Sequence, residues 1–403
     1  MACCGEGSCF GSIKATLRRL VSAGFKHKRN SVPAEAQRRE VLAAKCEESG
    51  LDCTLWSQLP EEVVERIVAW LPLRDFFRLR GVCKRWNALV ACPHFQDVQA
   101  FGPPRRHWLL LCKTGSLEDC LAYDVESMKW HKWSLSFLPL GLCVVKASGG
   151  LLLCFSTTME KSVFICNPLT KFWVELPGIR SARFFRAVGM VVNSNRKAYK
   201  VVVVGCNGTD FNSWATEVYD STSHSWTLAA QLPRGVLLYP GKMTLCNDLL
   251  YCITSHPFNV AVYDLEQGKW DQIDMPMYQF YVYPWLVSCG GFLLMVGCLD
   301  HGGARQIIQI WQLERQFMEW REVANMPQAL YQEFVSKSPQ GQFDCVGVDN
   351  CILICASQTL QVLCYDVSKA KWSWLRSCPH ALNSHREEAI VGFDFDPGLT
   401  AQF

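Results

Sequence analysis

The 403-residue chain lacks a long uninterrupted apolar run. A membrane-spanning helix needs about 18 to 20 consecutive apolar residues, and no segment approaches that length. The first residues also lack the apolar stretch of a secretory signal peptide. These absences predict an intracellular protein, in the cytoplasm or the nucleus, without stable membrane insertion.

A strong charge of one sign is absent as well. The chain has 40 Lys and Arg against 37 Asp and Glu, a net charge of +3. Residues 1–50 hold nine basic and five acidic side chains, a local +4, which leaves −1 for the rest. This balance argues against a nucleic-acid partner. The basic segment Lys14–Arg29 is open to three interpretations, a solvated tail, a nuclear signal or a membrane-surface helix, and Cys3 and Cys4 leave lipidation open.

The ligand spacing of a metal site is also missing. Disulfide frameworks belong to short secreted chains, whereas the 22 cysteines of this chain lie largely within strand-like apolar runs. Cys351 and Cys355 share one predicted strand without a second pair of ligands. We therefore expect mostly reduced, buried thiols, no metal and no cofactor.

What the sequence does contain is a repeat. The segment VYDLEQGKW, residues 262–270, has five relatives: AYDVESMKW, ICNPLTKFW, VYDSTSHSW, IWQLERQFMEW and CYDVSKAKW. In five of the six copies an Asp or Asn lies six positions before a Trp, and the fifth copy departs, running from Gln312 to Trp320. The copies are spaced by 43 to 54 residues, near the period of about 40 to 50 residues that propeller repeats show.

Each repeat unit alternates on a two-residue period, which is typical of strands. The third unit reads RAVGMVVN, YKVVVVG, ATEVYD and SWTLAAQLP, four strands in order. Four-stranded meanders at this period predict an all-β six-bladed propeller. The Asp or Asn suits a turn, and the Trp suits the space between blades. The first unit lacks a strand, so we expect residues 387–395, EEAIVGFDF, to complete that blade.

Residues 55–95 follow a helical period instead. Pro60, Glu61 and Glu62 predict a helix start. The apolar residues that follow span an arc of roughly 160°, wider than the roughly 100° that one packing face requires. Because three short helices make a very small core, part of this arc is expected to face another protein. The alternative that the apolar arc leaves open is a helical cap packed on the propeller.

Two resemblances follow from these residues. The order of a strand ending in Gly, then Tyr-Asp, then Trp with Leu-Pro resembles a degenerate kelch repeat, although the doublets Gly149-Gly150 and Gly290-Gly291 fall before the second strand. The helical stretch resembles the F-box through its two Leu-Pro steps and its VCKRW run. Together they resemble the plant F-box/kelch-repeat proteins. The expected organisation is a basic segment (1–54), an F-box of three helices (55–95), a linker (96–106), a six-bladed kelch-like propeller (107–398) and a tail (399–403).

This resemblance implies a non-catalytic substrate-recognition subunit of a Skp-cullin-F-box (SCF) ubiquitin ligase. The F-box would bind a Skp-type adaptor, and through it a cullin, while the propeller would recruit an unknown protein substrate for ubiquitination. The residues that match the family pattern, with Val63 in place of the commoner Leu, are the predicted adaptor contacts: Leu59, Pro60, Val63, Ile67, Leu71, Pro72, Leu79, Val82, Cys83 and Trp86.

Two other functions stay open from the sequence. A non-degradative scaffold would use the same two modules. A propeller enzyme would need convergent loop side chains, for which His256, His301 and His380 are candidates without any sign that they converge.

The predicted substrate face consists of loops that join the outer strand of one blade to the inner strand of the next. Aromatic and Arg side chains on such loops favour interfaces. They are Arg180, Arg183, Arg186, Tyr239, Tyr278, Phe280, Tyr281 and Tyr331. The three arginines would suit an acidic or phosphorylated stretch of a partner. The alternative is that the aromatic rings pack inward as loop anchors.

Overall fold

The structure is a computed structural model. It describes residues 59–100, 106–114, 116–157, 162–180, 184–193, 198–206, 214–275, 281–300, 306–338, 342–380 and 389–399. The chain divides into two compact units, residues 1–104 and 105–403. Within the described ranges, no helix combines the length and apolar character that a membrane crossing demands.

The first unit is helical. Its elements are α1 (Glu61–Ala69), α2 (Leu73–Arg80), α3 (Lys84–Ala88), a 3₁₀ turn (Leu89–Ala91) and α4 (Pro93–Ala100). Helices α1 and α2 each begin directly after a proline, Pro60 and Pro72, in an extended conformation that cannot continue a preceding helix. The expected helices are confirmed, and α4 continues the helical structure into the stretch predicted as linker.

The helical unit has a small aromatic centre. Phe76 on α2 and Phe95 on α4 stack with their ring centroids 5.4 Å apart, and both are buried. Val68 and Leu79 are also buried. Such a core is small for a domain that stands alone.

The second unit is a β-propeller of six sheets. Its first three blades contain β1 (Trp108–Lys113), β2 (Ser116–Asp124), β3 (Lys129–Trp133), β4 (Leu142–Ser148), β5 (Leu151–Ser156), β6 (Val163–Asn167), β7 (Phe172–Glu175), β8 (Phe184–Val192), β9 (Tyr199–Cys206), β10 (Ala215–Asp220) and β11 (Ser225–Leu228). The next three contain β12 (Leu237–Leu238), β13 (Gly241–Lys242), β14 (Thr244–Cys246), β15 (Leu249–His256), β16 (Val260–Asp264), β17 (Lys269–Ile273), β18 (Tyr281–Cys289), β19 (Phe292–Asp300), β20 (Gln306–Glu314), β21 (Glu319–Asn325), β22 (Phe343–Val348), β23 (Cys351–Ala356), β24 (Val362–Asp366) and β25 (Lys371–Trp374).

The last strand, β26 (Ile390–Phe395), closes the ring. It pairs antiparallel with β1, from Trp108 opposite Phe395 to Lys113 opposite Ile390, and so supplies the inner strand of the first blade. The prediction that this segment completes the first blade is confirmed.

The repeated Asp–Trp motif builds the turn between the two outer strands of each blade. Asp264 shows the pattern, since its Oδ1 accepts the backbone N–H groups of Glu266 and Gln267, both at 2.8 Å. The residue two positions before each Trp has a positive φ: Met128, Lys171, His224, Gly268, Met318 and Ala370. The fifth copy was misaligned in the sequence prediction. Strand pairing places Leu313 opposite Trp320, so Glu314 takes the Asp position and the six-residue spacing is kept.

Four of the repeated Trp side chains join neighbouring blades by a hydrogen bond, as predicted: Trp130, Trp226, Trp270 and Trp320. Trp173 is instead 39% exposed and packs against Phe164 of its own blade. Trp226 Nε1 donates to Pro177 O of the second blade at 2.7 Å, and Trp320 Nε1 donates to Asp274 O of the fourth at 2.8 Å. Trp130 Nε1 donates to Arg376 O at 2.8 Å and so joins the first blade to the sixth. Each of these tryptophans is bonded to the blade that precedes its own in the ring.

Two features depart from a regular propeller. The inner strand of the fourth blade is interrupted, because β13 leaves it and pairs in parallel with β8 of the third blade. Between the fifth and sixth blades, residues predicted as a loop form helix α5 (Gln328–Lys337), which begins after Pro327 and buries Phe334.

Candidate functional site

The structure divides the wide apolar arc of α1 between two environments. Val68 and Leu71 are buried, with 1% and 5% of their surface exposed. Val63 and Trp70, seven residues apart and therefore on one face of the helix, are 39% and 43% exposed. Ile67 lies between them and is half-buried. Val63, Ile67 and Trp70 thus form an apolar surface that we name the α1 stripe.

The turn between α2 and α3 adds another exposed apolar side chain. Val82 is 52% exposed. The next residue, Cys83, caps α3 by accepting a hydrogen bond from the backbone N–H of Trp86 at 3.5 Å. Arg85 on α3 forms an ion pair with Glu61 on α1, so the two helices are joined at the surface.

The other predicted adaptor contacts fall into three groups. Leu59, Pro72 and Trp86 are half-buried, and Pro60 and Cys83 are exposed. Leu71 and Leu79 are interior residues, the latter only 1% exposed. Their side chains pack inside the helical unit and support its helices. A helical period alone cannot separate such core residues from interface residues, because both kinds recur with the same period.

The predicted substrate face is described only in part. Arg180 and Arg186 are exposed, and the Arg186 guanidinium lies 5.8 Å from the centre of the Trp214 ring. Tyr331 is half-buried on α5 and packs against the core of the fifth and sixth blades. Arg183, Tyr278, Phe280 and the Tyr281 side chain lie outside the described residues. Tyr239 is 38% exposed and lines the central channel.

The central channel holds a polar cavity that the sequence did not predict. Residues from the inner strands of all six blades enclose about 360 Å³. Among them are charged residues in otherwise apolar strands, Lys146 on β4 and Asp394 on β26. A charged residue inside an apolar inner strand was the signal that could have identified this cavity.

Lys242 crosses the channel from the displaced strand β13. Its Nζ donates to Asp344 Oδ2 of the sixth blade and to Gly392 O of the first, both at 2.7 Å. The backbone N–H of Gly392 also donates to Asp344 Oδ2 at 2.7 Å. The Lys242 ammonium further lies 4.9 Å from the centre of the Phe393 ring. One side chain thus links the interrupted fourth blade to the opposite side of the ring.

Two more cations line the cavity. Lys146 Nζ donates to Met243 O at 2.7 Å, and burial together with the nearby Lys242 lowers the pKa of Lys146 to about 8. His107 Nδ1 lies 2.7 and 2.9 Å from the two carboxylate oxygens of Asp394. Burial opposes the charged imidazole, but the bond to Asp394 and the nearby carboxylates raise the pKa of His107 to about 9.

Two of the three histidines considered for a propeller enzyme lie in the described part of the chain. His256 ends β15 and is exposed, His380 is half-buried, and His301 lies outside the described residues. Neither described candidate lines the cavity. Within the described part of the chain, no group of three or more His, Cys, Asp and Glu residues has metal-binding geometry.

Comparison with known families assigns both units. Residues 56–96 match the F-box domain, and residues 122–377 match the KIB1-4 β-propeller. The chain belongs to the KIB1-4 β-propeller family and carries an F-box. This F-box protein is 29% identical to F-box only protein 6 of Arabidopsis thaliana, over 92% of this chain and 81% of that one. It is 28% identical to Protein UNUSUAL FLORAL ORGANS of the same plant, with 87% of each chain covered. An F-box/kelch-repeat protein of Arabidopsis thaliana is 26% identical over 88% of this F-box protein and 92% of its own length.

Proposed function

We propose that the protein is a substrate-recognition subunit of an SCF-type ubiquitin ligase. In this role the F-box binds a Skp-type adaptor, which connects it to a cullin, and the propeller recruits a protein for ubiquitination. The observation that carries the proposal is the α1 stripe, an exposed apolar surface on a unit that the F-box match identifies.

The adaptor-binding surface consists of the α1 stripe and the α2–α3 corner around Val82. Apolar side chains exposed on a small helical unit are typical of a protein interface. Burying the exposed part of Val63, Trp70 and Val82 in a complex stabilises that complex by roughly 25 cal/mol for each Å² of apolar surface removed from water. The interior residues Leu71 and Leu79 hold the helices that present this surface.

The chain needs no catalytic residue for this role. A receptor that holds a substrate lysine close to a charged conjugating enzyme turns a bimolecular encounter into an intramolecular one. The proposal for the propeller face is that Arg180, Arg183 and Arg186 contact an acidic or phosphorylated stretch of the substrate. Such contacts weaken as the salt concentration rises.

Co-purification with a Skp-type adaptor tests the proposal. The test variant is Val63→Asp with Trp70→Ser, which places a charge and a polar group on the α1 stripe while leaving Val68 and Leu71 in place. We expect adaptor binding to fall at least tenfold, since a buried unpaired charge costs several kcal/mol.

Glu62→Asp with Arg66→Lys is the matched control, because both residues are exposed on the same helix and the changes keep the charge. The control should bind as wild type does. Circular dichroism confirms that both variants are helical. Adaptor binding by the folded test variant at the wild-type level would overturn the proposal.

A further inference from the structure

The propeller cavity contains one ammonium group without a carboxylate partner among the described residues. Lys242 is paired with Asp344, and His107 is paired with Asp394. Lys146 instead donates to one backbone carbonyl, Met243 O, although an ammonium has three N–H donors. The carboxylates of Asp394 and Asp344 favour the charged form of Lys146 from a longer distance, but they form no ion pair with it. A cation in such a site is stabilised by an anionic partner.

The cavity is polarised along its length. The inner strands run in one direction, and Asp349 and Asp396 follow the ends of β22 and β26, where they line the cavity beside Asp394. At the other end lie Tyr239, which precedes β13, and Pro284, in the first half of β18. The acidic end repels an anion, so an anionic ligand would enter past Tyr239.

The geometry points to a carboxylate-binding site in the propeller channel, with Lys146 as the residue that binds the carboxylate. The enclosed volume lies within the range of about 300 to 1,000 Å³ that small-ligand sites occupy. Met190 and Trp285 add apolar surface to the wall of the same cavity. The carboxylate has two possible sources, the C-terminus of a peptide or a free small carboxylic acid. The peptide source rests on the proposed substrate-recruiting function, whereas the small-acid source does not.

Two probes distinguish these sources on the full chain, measured with and without a Skp-type adaptor. The first is a mixture of random hexapeptides, prepared once as free acids and once as C-terminal amides, with retained peptides identified by mass spectrometry. The second is a series of straight-chain monocarboxylic acids of two to ten carbons, followed by ligand-observed NMR. Retention of the free-acid peptides at least about tenfold over the amides assigns the site to a peptide C-terminus. Binding of the small acids alone assigns it to a metabolite.

The variant Lys146→Met keeps the length of the side chain and removes its charge, and we expect it to lose binding of the effective probe at least tenfold. Lys200→Met is the matched control, since Lys200 is exposed in the third blade 3.7 Å from Asp220. If Lys146→Met does not fold, reductive methylation of the wild-type chain gives the same test, because a bound carboxylate should protect Lys146.

Three results would overturn the inference: no probe of either kind binds, Lys146→Met retains the wild-type affinity, or Lys146 methylates equally with and without the probe. Adaptor binding is measured on the same samples. A failure of the cavity site therefore stays separate from a failure of the proposed function.

Discussion

At the scale of single residues, one position of each Asp–Trp turn carries a positive φ. Gly occupies it only at Gly268, with a φ of 66°, whereas Ala370 has a φ of 49°. Left-handed backbone is costly for residues with a Cβ, by roughly 1 to 2 kcal/mol. The turn is repeated, but the residue that fits it best is not.

The pair Ala370→Gly and Gly268→Ala tests this strain. Ala370 is exposed, so its replacement removes no packing, and a Cβ on Gly268 would meet no atom within 4 Å. We expect Ala370→Gly to raise the free energy of unfolding by about 0.5 to 1 kcal/mol and Gly268→Ala to lower it by about 1 kcal/mol. Urea denaturation followed by tryptophan fluorescence measures both. Changes of the same sign would contradict this account.

His107 makes stability depend on pH. Its pKa is raised from an ordinary value of 6.5 to about 9 by the Asp394 contact, so the folded chain binds more protons than the unfolded chain between those values. The stabilisation of the folded chain by protonated His107 is therefore complete below pH 6.5 and is lost as the pH rises towards 9. Since the imidazole is 36% exposed, solvent reduces the effect to about 1 to 2 kcal/mol.

The variant His107→Gln should flatten the fall in melting temperature between pH 6.5 and 9, and Asp394→Asn should do the same. His224→Gln is the control, because His224 lies in an outer turn of the third blade. A slope in His107→Gln equal to that of wild type would show that other groups set the pH dependence.

At the scale of elements, the sequence predicted the presence of strands and helices more reliably than it predicted which side chains are buried or which strands pair. The two-residue period and the Asp–Trp spacing were enough for the blades. Ile390–Phe395, within the predicted segment 387–395, pairs in the first blade as expected. Periodicity could not separate Leu71 from Val63, because both lie on one apolar arc. Nor could it reveal that β13 crosses to another blade, since Lys242 reads locally as a surface lysine and its partners are 102 and 150 residues away in sequence.

Two valines of α1 test how the arc is divided. Val68→Ala removes two methyl groups from a buried site, and we expect it to cost about 2 kcal/mol. Val63→Ala removes the same groups from the α1 stripe and should cost less than about 0.5 kcal/mol in stability, while it weakens adaptor binding. Thermal unfolding of the helical unit is followed by circular dichroism. Equal losses of stability would mean that Val63 also contributes to the core.

At the scale of the whole molecule, the ring depends on the pairing of β26 with β1. Removing residues 386–403 would expose the hydrogen-bonding edge of β1 and the buried side chains Leu109 and Leu111. We expect the shortened chain to aggregate, because both an open strand edge and an apolar patch promote association. Light scattering measures this.

A peptide of residues 387–399, added in trans, serves as the control. It carries β26 and Gly398, whose carbonyl accepts from Asn167 Nδ2 in the second blade at 3.0 Å. The peptide should restore solubility. A shortened chain that is monomeric and melts as wild type does would show that the first blade is stable without its inner strand.

The channel offers a second test of how the ring is held, through the Lys242 link between opposite blades. Lys242→Met would leave Asp344, whose side chain is 4% exposed, without its cation, and breaking a buried pair costs about 3 to 5 kcal/mol. Asp344→Asn alone leaves the Lys242 ammonium without its carboxylate partner. In the double variant neither charge remains, and the Asn oxygen still accepts the backbone N–H of Gly392, so the combined cost should be smaller than the sum by at least about 1 kcal/mol.

Lys146→Met is the matched control in the same cavity, with an expected cost below that of Lys242→Met because its only described hydrogen bond is to a carbonyl. Denaturation of the four variants measures the coupling, and additive losses from Lys242→Met and Asp344→Asn would mean that the ion pair does not hold the blades together.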